Sequence, residues 1–203
     1  LTFLRRSGRV STNKPRRKPR NDDGSDGEGK FTGAYVKEPK PGLYKWVYDL
    51  DLTSLYPSII MSINISPETK IGKLKGYSAE QHMKGSLETY TIVDDSGNEF
   101  PPLPKEKFLK FIEKNKYSVA ANGVLYRTDK VGVIPEILSV WFDKRVEYKD
   151  LMKKYGKEGN DEQYKFYGKR QLVQKIMLNS LYGVLGLPSF RFYDVDNAEA
   201  TTI

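Results

Sequence analysis

The stretch from Val47 to Ile60 changes its hydrophobic period at Thr53, and this switch restricts the fold more than any other feature of the chain. Before Thr53, the residues Trp46, Tyr48, Leu50 and Leu52 alternate with Val47, Asp49 and Asp51. That is the period of two of a β-strand whose faces meet different surroundings. After it, Ile59, Ile60 and Ile63 recur at helical spacing, and Pro57 suits a first helical turn, where its missing N–H costs nothing. A strand running straight into a helix leaves the N–H groups of about Ser54, Leu55 and Tyr56 unpaired beside the carboxylate of Asp51. Such a corner can hold an anion on its amides and a cation on Asp51; a nucleoside triphosphate with Mg²⁺ carries both signs. Spacing alone also allows an ordinary α/β corner with Asp51 as a helix N-cap.

Charge adds a second constraint. The 203 residues hold 34 Lys and Arg against 26 Asp and Glu, a net charge of +8. Residues 1–20 contain eight of the basic side chains and no acid, which leaves 26 against 26 for the remainder. An arm of this kind can bind a phosphate backbone with strong salt dependence, or serve as a solvated connector. Residues 11–30 have no apolar anchor and read as a linker, basic then acidic. There is no cysteine, which excludes disulfides and thiolate metal sites and suits a cytoplasmic protein. No apolar run approaches the roughly 20 residues needed to span a bilayer, so no membrane partner is expected. The chain opens on Leu and stops at Ala200-Thr-Thr-Ile203, as expected of a piece of something longer.

Along the chain, residues 31–43 suggest a short strand and a turn, 78–84 a short helix, 89–93 a strand and 105–115 an amphipathic helix with Phe108, Leu109, Phe111 and Ile112. Asn122-Gly123 between apolar runs predicts a hairpin with a type I′ turn. His82, the one histidine, reads as a plain surface residue. No chemistry is assigned to residues 65–130. Gly132-Val-Ile-Pro135 opens a long helix that ends near Gly156, and a second runs from about Asp161 to Leu185. So short a turn makes them an antiparallel hairpin. Centred near residue 158, it sets Arg145 level with Gln171 and Trp141 with Lys175. Gln171, Lys175, Asn179 and Tyr182 form a polar ridge, Arg145 and Lys149 share a face, and Leu172, Val173, Ile176, Met177, Leu178 and Leu181 are available to pack inward.

The run Asp51-Leu-Thr-Ser-Leu-Tyr-Pro-Ser-Ile-Ile60 resembles the first palm motif of family B DNA polymerases. The flanks Gly33-Ala-Tyr-Val-Lys-Glu-Pro39 and Asn64-Ile-Ser-Pro-Glu-Thr69 resemble the T-even-type phage branch. Lys175-Ile-Met-Leu-Asn-Ser-Leu-Tyr-Gly183 resembles the fingers motif, and Gly132-Val-Ile-Pro135 with Trp141-Phe-Asp-Lys-Arg145 resembles the helix before it. The resemblance implies an α+β fold: a partial polymerase palm, an antiparallel sheet with helix, plus an antiparallel two-helix fingers hairpin. Its parts would be a flexible arm over 1–30, partial palm over 31–131, fingers over 132–186 and a return to palm over 187–203. It implies template-directed addition of deoxynucleotides to a primer 3′-end with two Mg²⁺. Asp51 and the carbonyl of Leu52 would ligate metal. The amides of Ser54 and Leu55 would meet the triphosphate, gripped also by Arg145, Lys149 and Lys175. Tyr56 would be the steric gate against a ribose 2′-hydroxyl, supported by Asn179, and Tyr182 with Gly183 would line the nascent pair. Implied partners are primer-template DNA, a deoxynucleoside triphosphate, the remaining polymerase segments and a sliding clamp.

Two-metal chemistry needs a second carboxylate. Asp49 is a secondary candidate, roughly 6 to 7 Å from Asp51 if the strand forms. Tyr193-Asp194-Val195-Asp196 imitates the family's second palm motif but follows the fingers motif too closely, so Asp194 and Asp196 read as structural, and the true second motif is expected past Ile203. The chain alone is therefore expected to be inactive. The hairpin is shorter than in the T-even pattern. A non-catalytic DNA-binding or assembly subunit is the alternative reading, and protein-primed synthesis is disfavoured by the flanks.

Overall fold

The computed structural model describes residues 4, 6, 8 and 36–203. The basic arm, the linker over 11–30 and residues 31–35, where most of the short strand expected within 31–43 falls, lie outside these residues, apart from the three named, and 36–43 forms no strand.

Helix α1 (Leu55–Ile63) begins where the sequence changes period, with Pro57 buried in its first turn. It ends at Asn64, whose left-handed backbone lets Ile65 donate back to Ile60 O at 3.0 Å. Strand β1 (Lys70–Leu74) follows, then α2 (Ala79–Met83), capped by the Ser78 side chain, the short strands β2 (Thr89–Tyr90), β3 (Ile92–Val93) and β4 (Leu103–Pro104), and α3 (Lys105–Asn115). Strands β5 (Tyr117–Val119) and β6 (Val124–Arg127) form the expected hairpin. The antiparallel sheet has the order β3-β1-β6-β5, and β2 pairs with β4 separately. The strand expected over 89–93 is thus divided between two sheets.

Strand β6 lies between two cores and serves both through its alternation. Val124 and Tyr126 face Ile60, Ile65, Ile134, Leu138, Leu178 and Ala198, whereas Leu125 faces Leu74, Tyr90, Ile92 and Phe108. The first core is the base on which helices α4 (Val133–Lys157), α5 (Asp161–Leu185) and α6 (Val195–Thr202) stand.

The start of α4 is held with unusual completeness. Asn64 Oδ1 accepts from Gly132 N at 2.8 Å, Glu68 Oε1 from Val133 N, and Ser66 Oγ from Ile134 N at 3.4 Å. Three N–H groups that a helix start leaves unpaired are taken by side chains from one preceding segment. Gly132 is required there, because a Cβ would stand 2.7 Å from that of Ser66.

Several expectations need correction. Residues 46–52 form no strand: no described strand offers them a ladder, Trp46 has φ 61°, and Trp46 and Leu50 are 90% and 93% exposed. The 6 to 7 Å relation of Asp49 to Asp51 falls with that strand. The β5–β6 turn is not type I′, because Asn122 lacks positive φ and only Gly123 (φ 83°) is left-handed. Gly123 N donates to Ala120 O and Ala120 N to Val124 O, a type I turn closed by a glycine bulge. Asn122 instead spends its amide on Asp196 O (2.9 Å) and Glu199 (3.1 Å). His82 is half-buried, with Nδ1 2.8 Å from Tyr90 Oη and its ring between Tyr77 and Tyr90. Leu172, Val173 and Ile176 face outward, because only one side of α5 meets α4, and Leu109 is partly exposed on α3.

Candidate functional site

The N-terminus of α1 is where the predicted site residues converge. Ser54 holds the N-cap position with left-handed φ 53° and ψ 48°, and its side chain makes no capping bond. One of the two usual capping bonds is lost locally: the third helical residue is Pro57, which has no N–H to donate to a capping hydroxyl. That hydroxyl turns to the helical hairpin and accepts from Arg145 Nη1 at 2.9 Å. The N–H groups of the first turn remain available to a ligand.

Within the same first turn, Tyr56 stacks on Tyr182 of α5, ring centroids 4.2 Å apart and planes inclined at 20°. Burial, and then the neighbouring Tyr56 ring, push the Tyr182 phenol above its ordinary value. Two contacts, one from each helix of the hairpin, therefore tie α1 to both. Arg145 is half-buried, its Nε has no hydrogen-bond partner, and among the described residues no carboxylate pairs with it. A partly desolvated cation without a counter-ion is costly, and an anionic ligand would relieve it.

The hairpin's register differs from the expected one. A Cβ on Gly168 would lie 3.6 Å from the Met152 sulfur, and one on Gly156 would meet the Tyr164 ring at 3.2 Å. Both pairs are equidistant from residue 160, so Arg145 stands about level with Lys175 rather than Gln171, and Trp141 with Asn179 rather than Lys175. The two cations thus share one height. Lys149 is half-buried, while Lys175 and Asn179 are exposed. Gly183 is also exposed, and a Cβ there would meet nothing within 4 Å. Glycine inside a helix costs about 0.5–1 kcal/mol relative to alanine, and the packing of this chain gives no return for it.

Asp51 and Leu52 lie in the exposed, irregular segment just before the corner, where Asp51 makes no hydrogen bond or ion pair among the described residues. The structure therefore brings Ser54, Tyr56, Arg145 and Tyr182 into contact. Lys149, Lys175 and Asn179 stand elsewhere on the same hairpin and make no side-chain hydrogen bond to α1 among the described residues, Gly183 is exposed, and Asp51 with Leu52 is left open. Among the described residues no group of three or more His, Asp or Glu could enclose a metal ion.

Asp194 and Asp196 are engaged elsewhere. Lys70, its side chain only 7% exposed, meets Asp95 at 3.1 Å, Asp194 at 3.1 Å and Asp196 at 2.9 Å. Lys73 meets Asp196 at 2.8 Å and Glu199 at 3.2 Å. Asp194 also caps α6 through Asn197 N. Burial alone would lower the Lys70 ammonium, but the charges of Asp194 and Asp196 outweigh it and hold it above its ordinary value. Burial would raise Asp196, but hydrogen bonds from Lys73 and Lys70 prevail and lower it. Lys70, Lys73 and the α4 anchors Asn64, Ser66 and Glu68 went unrecognised in the sequence, where the only signal was Asn64-Ile-Ser-Pro-Glu-Thr69, noted as a family flank.

A model of DNA polymerase family B matches residues 1–203. The DNA-directed DNA polymerase of Escherichia phage RB69 is 30% identical over 85% of this chain and 22% of its own length. That of Enterobacteria phage T4 is 29% identical over 89% of this chain and 23% of its own length. The chain thus spans about a fifth of the curated relatives it matches. The alignments run over 220 and 228 residues although they cover only part of a 203-residue chain, so the phage relatives carry residues that it lacks. Among solved structures, the family B DNA polymerase of the hyperthermophilic archaeon Pyrobaculum calidifontis superimposes with a TM-score of 0.59 at 27% identity, covering 98% of this chain and 20% of that one.

Proposed function

This chain belongs to DNA polymerase family B, and on that premise we propose that it forms the nucleotide-binding part of a phage-type enzyme that adds deoxynucleotides to a primer 3′-end under the direction of a template. In this reading the sheet, α1 and α6 are part of the palm and the α4–α5 hairpin is the fingers. The observation that carries the proposal is the 2.9 Å hydrogen bond from Arg145 to Ser54, which sets a cation of the hairpin at the N-terminus of α1.

Phosphoryl transfer rests on positioning and on charge stabilisation at the β and γ phosphates. Here the first-turn amides of α1 and the Arg145 guanidinium would receive a phosphate together, with Lys175 about level on the partner helix and Lys149 one turn further along α4. The Tyr56–Tyr182 stack presents a flat, partly buried surface on which the sugar and the nascent pair would rest. The open space at Gly183 supports close approach of a base pair to the helix backbone. The Asp51 carboxylate and the Leu52 carbonyl are hard oxygen donors of the type Mg²⁺ takes, and both are exposed. Two Mg²⁺ bound there and to a second carboxylate from the rest of the protein would activate the primer hydroxyl and neutralise the triphosphate.

The test is Asp51→Ala in the complete polymerase carrying this segment. Primer extension should fall by at least about a thousandfold while primer-template binding persists. Extension at an unchanged rate would remove Asp51 from the metal site and the proposal with it.

A further inference from the structure

The Ser54 hydroxyl has a use that capping does not explain. An N-cap serine ordinarily has an extended backbone and accepts from the second or third N–H of its helix. Ser54 is left-handed, its capping bond to the third residue is abolished by Pro57, and its oxygen accepts from Arg145 instead. A left-handed backbone at a residue with a Cβ is a conformation that surrounding structure must maintain. Arg145 in turn has no carboxylate and keeps a buried, unpartnered Nε, so Ser54 is its one side-chain hydrogen-bond partner among the described residues.

We propose that Ser54 is a positioning residue: its hydroxyl holds the Arg145 guanidinium over the first-turn amides of α1 before a nucleotide arrives. This inference rests on the nucleotide-binding reading above and adds a role distinct from that of the Ser54 amide. An arginine side chain free to rotate would have to be ordered by the incoming triphosphate, at the expense of binding free energy. With one Nη already anchored, the remaining donors of the planar fork keep a fixed direction, and the neutral hydroxyl yields to a phosphate oxygen without leaving a buried charge behind. Ser54 thereby acts on nucleotide affinity through Arg145 and touches no reacting atom.

Single-nucleotide insertion kinetics in the complete polymerase test this. Ser54→Gly removes the hydroxyl while tolerating the left-handed backbone, and Ser54→Asn restores an oxygen acceptor on a residue that also tolerates it. Ser54→Gly should raise the KM for the deoxynucleotide about tenfold, with the loss falling on KM rather than kcat, and Ser54→Asn should recover most of it. Arg145→Ala should raise KM further, and adding Ser54→Gly to it should have no additional effect, since a residue acting only through Arg145 is silent once Arg145 is gone. An unaltered KM in Ser54→Gly, or effects that multiply in the double variant, would overturn the positioning role while leaving the nucleotide site intact. An unaltered KM in Arg145→Ala would overturn the nucleotide-site reading and this inference together.

Discussion

Tyr56 illustrates how much a single side chain can settle at this site. It leaves the helix start one residue before the buried Pro57 and lies flat against Tyr182 at 4.2 Å, so its ring is fixed by packing without any ligand. A ring held in this way can exclude a substituent by steric contact, because it cannot swing aside without losing its stacking partner. Tyr56→Ala should therefore admit ribonucleotides, lowering discrimination against them at least tenfold or so in competitive primer extension. An unchanged ratio of deoxynucleotide to ribonucleotide incorporation would deny Tyr56 the role of gate. Ser54, Tyr56, Arg145 and Tyr182 were all identified from motif residues; what the sequence could not supply was that Arg145 donates to a serine hydroxyl. That bond depends on two segments far apart in the chain and on a proline that silences one local alternative.

At the scale of elements, the hairpin is built on a clamped base. Asn64, Ser66 and Glu68 take the first N–H groups of α4, and Gly132 is packed so closely on Ser66 and Thr69 that a methyl group has no room. Gly132→Ala should cost about 1–3 kcal/mol through overpacking, seen as a lower unfolding midpoint. Gly183→Ala is the contrast, since open space surrounds it and helix propensity favours alanine by about 0.5–1 kcal/mol. If both substitutions shifted the midpoint in the same direction, the packing account of Gly132 would be wrong. Helix bounds were readable from local signals: α3 and α5 span the predicted ranges, and α4 starts one residue inside its predicted opening. The hairpin's midpoint lies about two residues beyond the expected 158, which moves facing partners by about four, because the close approaches of Met152 to Gly168 and of Gly156 to Tyr164 set it.

Across the whole molecule, the last helix is bound to the sheet by charge as well as by the burial of Ala198 and Ala200. Lys70 and Lys73 on β1 grip Asp194, Asp196 and Glu199, while Tyr126 donates to Asn197 at 2.7 Å. Asp196 titrates below its ordinary value in the folded chain, so its contribution is present above about pH 4 and is lost as pH falls through the lowered value. Lys70 titrates above its ordinary value, so its contribution is complete below about pH 10 and is lost only in stronger alkali. Stability should thus be flat in this respect between about pH 5 and 10 and fall in acid, and Asp196→Asn should shrink the acid loss. An acid limb of the same depth in Asp196→Asn would show that these ion pairs do not couple α6 to the sheet. The sequence by itself determined the family, the α+β class, the helices and the residues that meet at α1, because a helix satisfies its hydrogen bonds within a few residues and a motif is contiguous. Only the tertiary structure decided that residues 46–52 stay unpaired, that Leu172, Val173 and Ile176 face outward, and that Lys70 gathers three carboxylates. A strand needs a partner, a face needs something to cover it and a buried charge needs its counter-ions, and each of these comes from residues distant in the chain.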